Sequence, residues 1–141
     1  MIQKLQTTRR GGFTLVEIMI VVAIIALLAA LAVPNFLRAR KRSQATRILE
    51  DLRMLDAATD QYAIENNRTS GAPAGIADLK LYLKAGSVLY MTGDDVFGDA
   101  YGGNGSSGGN FTVDSTPVIP ANAWTTLSDV APYTFWSPYH N

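Results

Sequence analysis

From Ile18 to Val33 the chain carries sixteen consecutive apolar residues without a break. A helix that is apolar on every side needs apolar surroundings on every side, which a soluble chain of this size rarely provides. Counted from Phe13, the run has 21 residues. At about 1.5 Å per residue that is roughly 31 Å, the thickness of a bilayer's hydrocarbon core. The segment is long enough to span a membrane. Its one acid, Glu17, stands near the start, where a carboxylate costs less than the roughly 2.5–3.5 kcal/mol expected at the bilayer centre.

Composition narrows the chemistry. The 141 residues hold 12 Lys and Arg against 12 Asp and Glu, one His and no Cys. The balanced charge gives no pull toward nucleic acid. Without Cys, a thiolate zinc site, a Cys nucleophile and a disulfide framework are all excluded. His140 is the penultimate residue, so a His-dependent triad would need the terminus folded back into a site; it reads as tail. No catalytic residue is assigned.

Four stretches differ in character: a basic polar start at 1–12, the apolar run at 13–33, a charged segment of helical period at 34–67, and a remainder rich in Gly and aromatics at 68–141. In the third, Ala45, Ile48, Leu52, Leu55, Thr59 and Tyr62 recur every three or four residues and form one stripe of an amphipathic helix. Arg47, Glu50, Asp51, Arg53, Asp60 and Glu65 fall mostly off it. No Gly interrupts 13–67, and Pro34 bends a helix without necessarily ending it. One long helix, kinked at Pro34, is therefore predicted.

The remainder holds ten of the thirteen aromatics and is expected to pack on that stripe. Ile76, Leu79, Tyr82 and Leu83 fit a short helix ending at Gly86. Ser87–Thr92, Asn110–Asp114 and Tyr133–Trp136 read as strands of one antiparallel sheet, with a flexible loop at Gly98–Gly109 and Pro117, Pro120, Pro132 and Pro138 breaking the later segments. The fold class is α+β: a long bent N-terminal helix, transmembrane in its first half, packed on a small antiparallel-sheet head.

Three readings compete for the first 33 residues: a cleaved secretory signal, a plain membrane anchor, and a leader cut ahead of the apolar run. Lys4, Arg9 and Arg10, with the small-residue pattern Ala30-Leu31-Ala32, support the first. The length of the run and the acid inside it count against it.

The junction itself reads Arg9-Arg10-Gly11-Gly12-Phe13-Thr14-Leu15-Val16-Glu17. A basic leader ending in Gly, then Phe-Thr-Leu-x-Glu, then about twenty apolar residues, resembles the N-terminus of type IV pilins and type II secretion pseudopilins. Pro34 falls where that family's helix usually carries its proline, although the Gly often found upstream is Ala26 here. The resemblance implies a prepilin in the bacterial inner membrane, cut by a prepilin peptidase between Gly12 and Phe13 and methylated on the new amine of Phe13. It implies partners too: other subunits of a homo- or hetero-oligomeric filament, an inner-membrane assembly platform and the lipid bilayer. The head would lie in the periplasm, and later in a periplasmic pseudopilus or an extracellular pilus.

Simple physics bears on the same residues. Gly11-Gly12 offers an unhindered backbone beside the membrane face, where Arg9 and Arg10 hold it. Glu17 fits two roles: with Thr14 it makes a helix capping box, and in an apolar bundle it pairs with the ammonium of a neighbouring Phe13, setting axial register more than adding stability. Arg38, Arg40, Lys41 and Arg42 follow the run, so the positive-inside rule is nearly balanced between its two ends. Those cations suit lipid phosphates, acidic neighbours or plain solvent.

Other patterns carry less. Gly103–Gly108 has dinucleotide-fingerprint spacing without the strand, helix and acid that must surround it, so no nucleotide is expected. Asp94, Asp95 and Asp99, with Asp114, could offer oxygens to a calcium ion, and Asp95–Tyr101 loosely resembles a segment of major pseudopilins near a calcium loop. No other cofactor is expected. Trp124, Trp136 and the tyrosines read as core rather than as an adhesive surface. The sequons at Asn67, Asn104 and Asn110 carry little weight beside a bacterial leader. An alternative of another class is a secreted or membrane-tethered domain whose aromatic head binds a ligand.

Overall fold

The computed structural model describes residues 11–103 and 109–140. The chain divides into two units, 1–37 and 38–141, and helix α1, Leu15–Glu65, contributes to both. In the first unit α1 opens on a reciprocal capping box. The Glu17 amide donates to Thr14 Oγ1 at 3.2 Å while the Thr14 amide donates to Glu17 Oε2 at 2.8 Å, which satisfies two of the donors a helix start leaves unpaired. The boundary therefore falls two residues inside the expected Phe13. Every large apolar side chain from Phe13 to Leu37 is 50–85% exposed. The helix continues through Pro34, which has no N–H to donate. One residue on, the Asn35 amide group donates to the Leu31 carbonyl at 3.1 Å.

In the second unit α1 buries one stripe: Ala45, Ile48, Leu52, Leu55, Thr59 and Tyr62 are the expected positions, joined by Leu49 and Ala58. The helix ends in a Schellman motif. Asn67 adopts φ 50°, Arg68 N–H donates to the Ala63 carbonyl at 2.9 Å, and Asn67 N–H donates to that of Ile64 at 3.5 Å. Asn tolerates the left-handed conformation that this stop requires.

Beyond it come β1 (Pro73–Gly75), α2 (Ile76–Leu79) running into a 3-10 turn (Lys80–Tyr82), and α3 (Val88–Thr92). There follow β2 (Gly102–Gly103), β3 (Asn110–Thr112), β4 (Pro117–Val118), α4 (Ala121–Leu127) and a last 3-10 turn (Tyr133–Trp136). Antiparallel pairing joins β1 to β3, with Ala74 opposite Phe111, and β2 to β4, with Gly102 opposite Val118. The α+β class holds, with two small two-stranded sheets in place of one three-stranded sheet.

Two expected strands are helical. At Ser87–Thr92, Ser87 Oγ accepts the Tyr90 amide at 3.1 Å as an N-cap, and Gly93 closes α3 at φ 77°. A Ser–Gly bracket around five residues stabilises a helical turn more than an unpaired strand. At Tyr133–Trp136 the chain follows Pro132 into a 3-10 turn, Phe135 N–H donating to the Pro132 carbonyl at 2.8 Å. The helix expected to end at Gly86 stops earlier, its 3-10 turn closing at Tyr82, and Leu83 is extended. Trp136, Tyr101, Phe111, Leu79, Leu89 and Leu127 are fully buried and form the core with the α1 stripe.

Candidate functional site

Gly11, Gly12, Phe13 and Thr14 lie outside helix and strand, and all are exposed. A Cβ added to either glycine would meet nothing within 4 Å, so the Gly12–Phe13 peptide is sterically open. Four residues on, Glu17 sits in a shallow apolar groove with Phe13, Ile18, Ile20 and Val21. Glu17 Oε2 accepts from both the amide and the hydroxyl of Thr14, each at 2.8 Å. A carboxylate has about four acceptor positions, so the capping box uses half of them and leaves room for an ammonium. The two roles weighed for Glu17 are thus compatible.

The acids under α1 were not legible as a group. Asp51, read as off the stripe, is buried and accepts the Tyr101 hydroxyl at 3.1 Å. Asp56 accepts from Tyr139 at 3.2 Å and Glu65 from Tyr82 at 2.8 Å. Three tyrosines from the head thus donate to three carboxylates of one helix. The sequence signal was the count of head tyrosines against helix acids, but nothing local pairs them.

Burial pushes the carboxyls of Asp51, Asp56 and Asp95 up, against the lowering effect of the hydroxyls or amides that donate to them. Each binds its proton more tightly in the folded head than in the unfolded chain, whose ordinary value is 3.8. Their contribution to stability is complete below that value and is lost as pH rises through the raised one. Asp51→Asn is therefore expected to flatten the fall in the head's thermal midpoint as pH rises above the ordinary carboxyl value of 3.8. An unchanged pH profile in that variant would show that the buried carboxyl carries no such linkage.

Asp94, Asp95 and Asp99 share one turn. Asp95 is buried; its Oδ1 accepts the amides of Phe97 and Asp99 at 2.8 and 3.0 Å, and its Oδ2 has no partner among the described residues. Asp99 Oδ2 accepts from Asn122 at 2.8 Å. Asp114 is exposed at φ 63°. Among the described residues no three His, Asp or Glu side chains gather as a cation cage. The Asp95 carboxylate organises its own turn.

His140 is not a free tail. Its ring lies 3.7 Å from that of Tyr133 and 4.6 Å, edge-on, from that of Trp124. Trp136 is core, as expected, whereas Tyr133 is 55% exposed. Most of the Gly103–Gly108 pattern and the Asn104 sequon fall outside the described residues, as do Lys4, Arg9 and Arg10. Arg38, Arg40 and Arg42 are exposed, while Lys41 pairs with Asp129 at 3.0 Å.

The open Gly-Gly-Phe junction, the capped apolar helix behind it and the small α+β head are the features to set beside known proteins. Residues 7–33 match a family model described as the prokaryotic N-terminal methylation motif. The chain is 35% identical over 72 residues to the type II secretion system core protein G of Aeromonas hydrophila, covering 51% of this chain and 50% of that one. It is 39% identical over 79 residues to the type IV wide pilus major component of Thermus thermophilus, covering 56% and 60%. With the type IV major pilin of Myxococcus xanthus it shares 45% over 62 residues, covering 44% and 28%. The chain spans about half the length of the first curated relatives it matches. No solved structure matches it.

Proposed function

We propose that this chain is a non-enzymatic structural subunit of a type IV pilus or a type II secretion pseudopilus. It is made as an inner-membrane prepilin, cut after Gly12, methylated on Phe13 and polymerised through α1. The observation that carries this reading is the exposed apolar helix standing directly behind an open Gly12–Phe13 peptide. The likeness to secretion and pilus proteins over about half of the chain, and the motif match at residues 7–33, support it. The prepilin peptidase and the inner-membrane platform are the partners this implies, with the head on the periplasmic side.

The mechanism is one of exchange. Moving α1 from lipid into a bundle of sister helices trades one apolar environment for another, so van der Waals packing and register decide the outcome. Register comes from charge. The Phe13 ammonium of an incoming subunit and the Glu17 carboxylate of a neighbour are each costly alone in apolar surroundings, and only one axial offset brings them together. Removing the leader takes away three basic residues and no acid, leaving nine basic against twelve acidic side chains.

N-terminal sequencing and intact mass of the protein from cell envelopes test the reading. The expected result is a chain starting at Phe13 with one added methyl group. A start at Val33 would mark an ordinary secretory signal, and an intact Met1 a plain anchor; either would overturn the proposal.

A further inference from the structure

Arg38, Arg40, Lys41 and Arg42 stand on α1 just beyond the apolar run, and polymerisation through Phe13 and Glu17 makes no use of them. At about 100° per residue, with Arg38 at zero, Arg40 falls near 200°, Lys41 near 300° and Arg42 near 40°. The four cations encircle the helix. Arg38 and Arg42 share one side and Arg40 lies on the opposite one, so the charge is not confined to the face that a single neighbouring helix would cover. Their axial spread is about 6 Å, close to the roughly 5–7 Å polar layer on each side of a bilayer's hydrocarbon core. A ring of that height matches a flat sheet of phosphates better than the side of a protein.

The individual contacts agree. Lys41 is committed to the head, its ammonium 3.0 Å from both carboxylate oxygens of Asp129. Arg38, Arg40 and Arg42 are exposed and form no ion pair among the described residues. All three free cations are Arg, whose planar fork grips phosphate oxygens in pairs. On a helix each Cα–Cβ bond leans toward the N-terminus, so these long side chains reach back toward the apolar end.

We propose that Arg38, Arg40 and Arg42 form a collar that binds the phosphates of anionic phospholipids in the leaflet facing the head, setting how deep the helix rests before assembly. This rests on the membrane-spanning reading of residues 13–33. The test uses the cleaved full-length protein with Leu37→Cys, whose thiol would be the chain's only one. Labelled there with a small fluorophore, it is reconstituted in vesicles of phosphatidylcholine with a minority of phosphatidylglycerol. Brominated chains are placed on one lipid class or the other at equal mole fraction.

Quenching by brominated phosphatidylglycerol is expected to exceed that by brominated phosphatidylcholine about fivefold. The triple change Arg38→Gln, Arg40→Gln, Arg42→Gln should abolish the difference, and the corresponding triple change to Lys should keep much of it. Equal quenching by the two lipids in the parent protein overturns the collar. So does a loss of filaments in the Gln variant when the parent shows equal quenching, since the arginines would then serve a protein partner. Failure to float with vesicles of either composition is a separate result, one that strikes the membrane-spanning reading itself.

Discussion

Glu17→Ala is expected to leave membrane insertion and cleavage intact and to collapse filament yield. In the proposed filament the change leaves the Phe13 ammonium of each added subunit without a counter-charge in apolar surroundings. Breaking a buried pair in this way costs roughly 3–5 kcal/mol, equivalent to about a hundredfold or more in the subunit addition constant. Glu17→Gln separates the two uses of this side chain. Gln can still accept from the Thr14 amide and hydroxyl, so the helix start survives, but it carries no charge. Sheared filament mass against the membrane-retained pool is the measurement. Filaments at parental level from the Gln variant would mean that the capping box is all Glu17 supplies.

Trp136→Ala is expected to act on the stability of the head instead. Trp136 is fully buried, meets Phe135 edge-on at 5.0 Å and donates its indole N–H to the Ala131 carbonyl at 3.1 Å. Emptying such a site costs about 3–5 kcal/mol, a large part of the 5–15 kcal/mol typical of a whole domain. In the proposed reading, leader removal and membrane insertion involve residues 11–37 and should proceed normally. The head should become protease-sensitive at growth temperature. A parental unfolding midpoint in denaturant would show that the tryptophan is not what closes this core.

These two expectations draw on parts of the chain that were unequally readable. The apolar run, the Gly12–Phe13 junction and the Thr14–Glu17 box are properties of neighbouring residues, and the structure reproduces the box atom by atom. The buried stripe from Ala45 to Tyr62 was equally plain, because over five turns a period of 3.6 residues has no rival. The head was harder. Ser87–Thr92 and Tyr133–Trp136 are too short for their periodicity to separate strand from helix, so the cap at Ser87 and the turn after Pro132 settled their form.

The acids of α1 make the same point in another way. By spacing, Asp51 belongs to the solvated side of its helix. Tyr101, 50 residues later, covers it and supplies its hydrogen bond. His140, the penultimate residue, is held against Trp124 and Tyr133 for a comparable reason. Aromatic rings brought together from separate segments bury one another whatever their place in the chain.

What the residues alone determined is therefore the N-terminal half of the protein: a span of the right length, an open peptide ahead of it, a capped start with one acid, and a stripe awaiting a partner. Each depends only on contacts a few residues apart and on the surrounding solvent, whether lipid or water. Tertiary structure alone decided which strands pair, which acids are buried and which tyrosines reach them. Short polar and Gly-rich segments have almost no conformational preference of their own, and they take their form from contacts made across the fold.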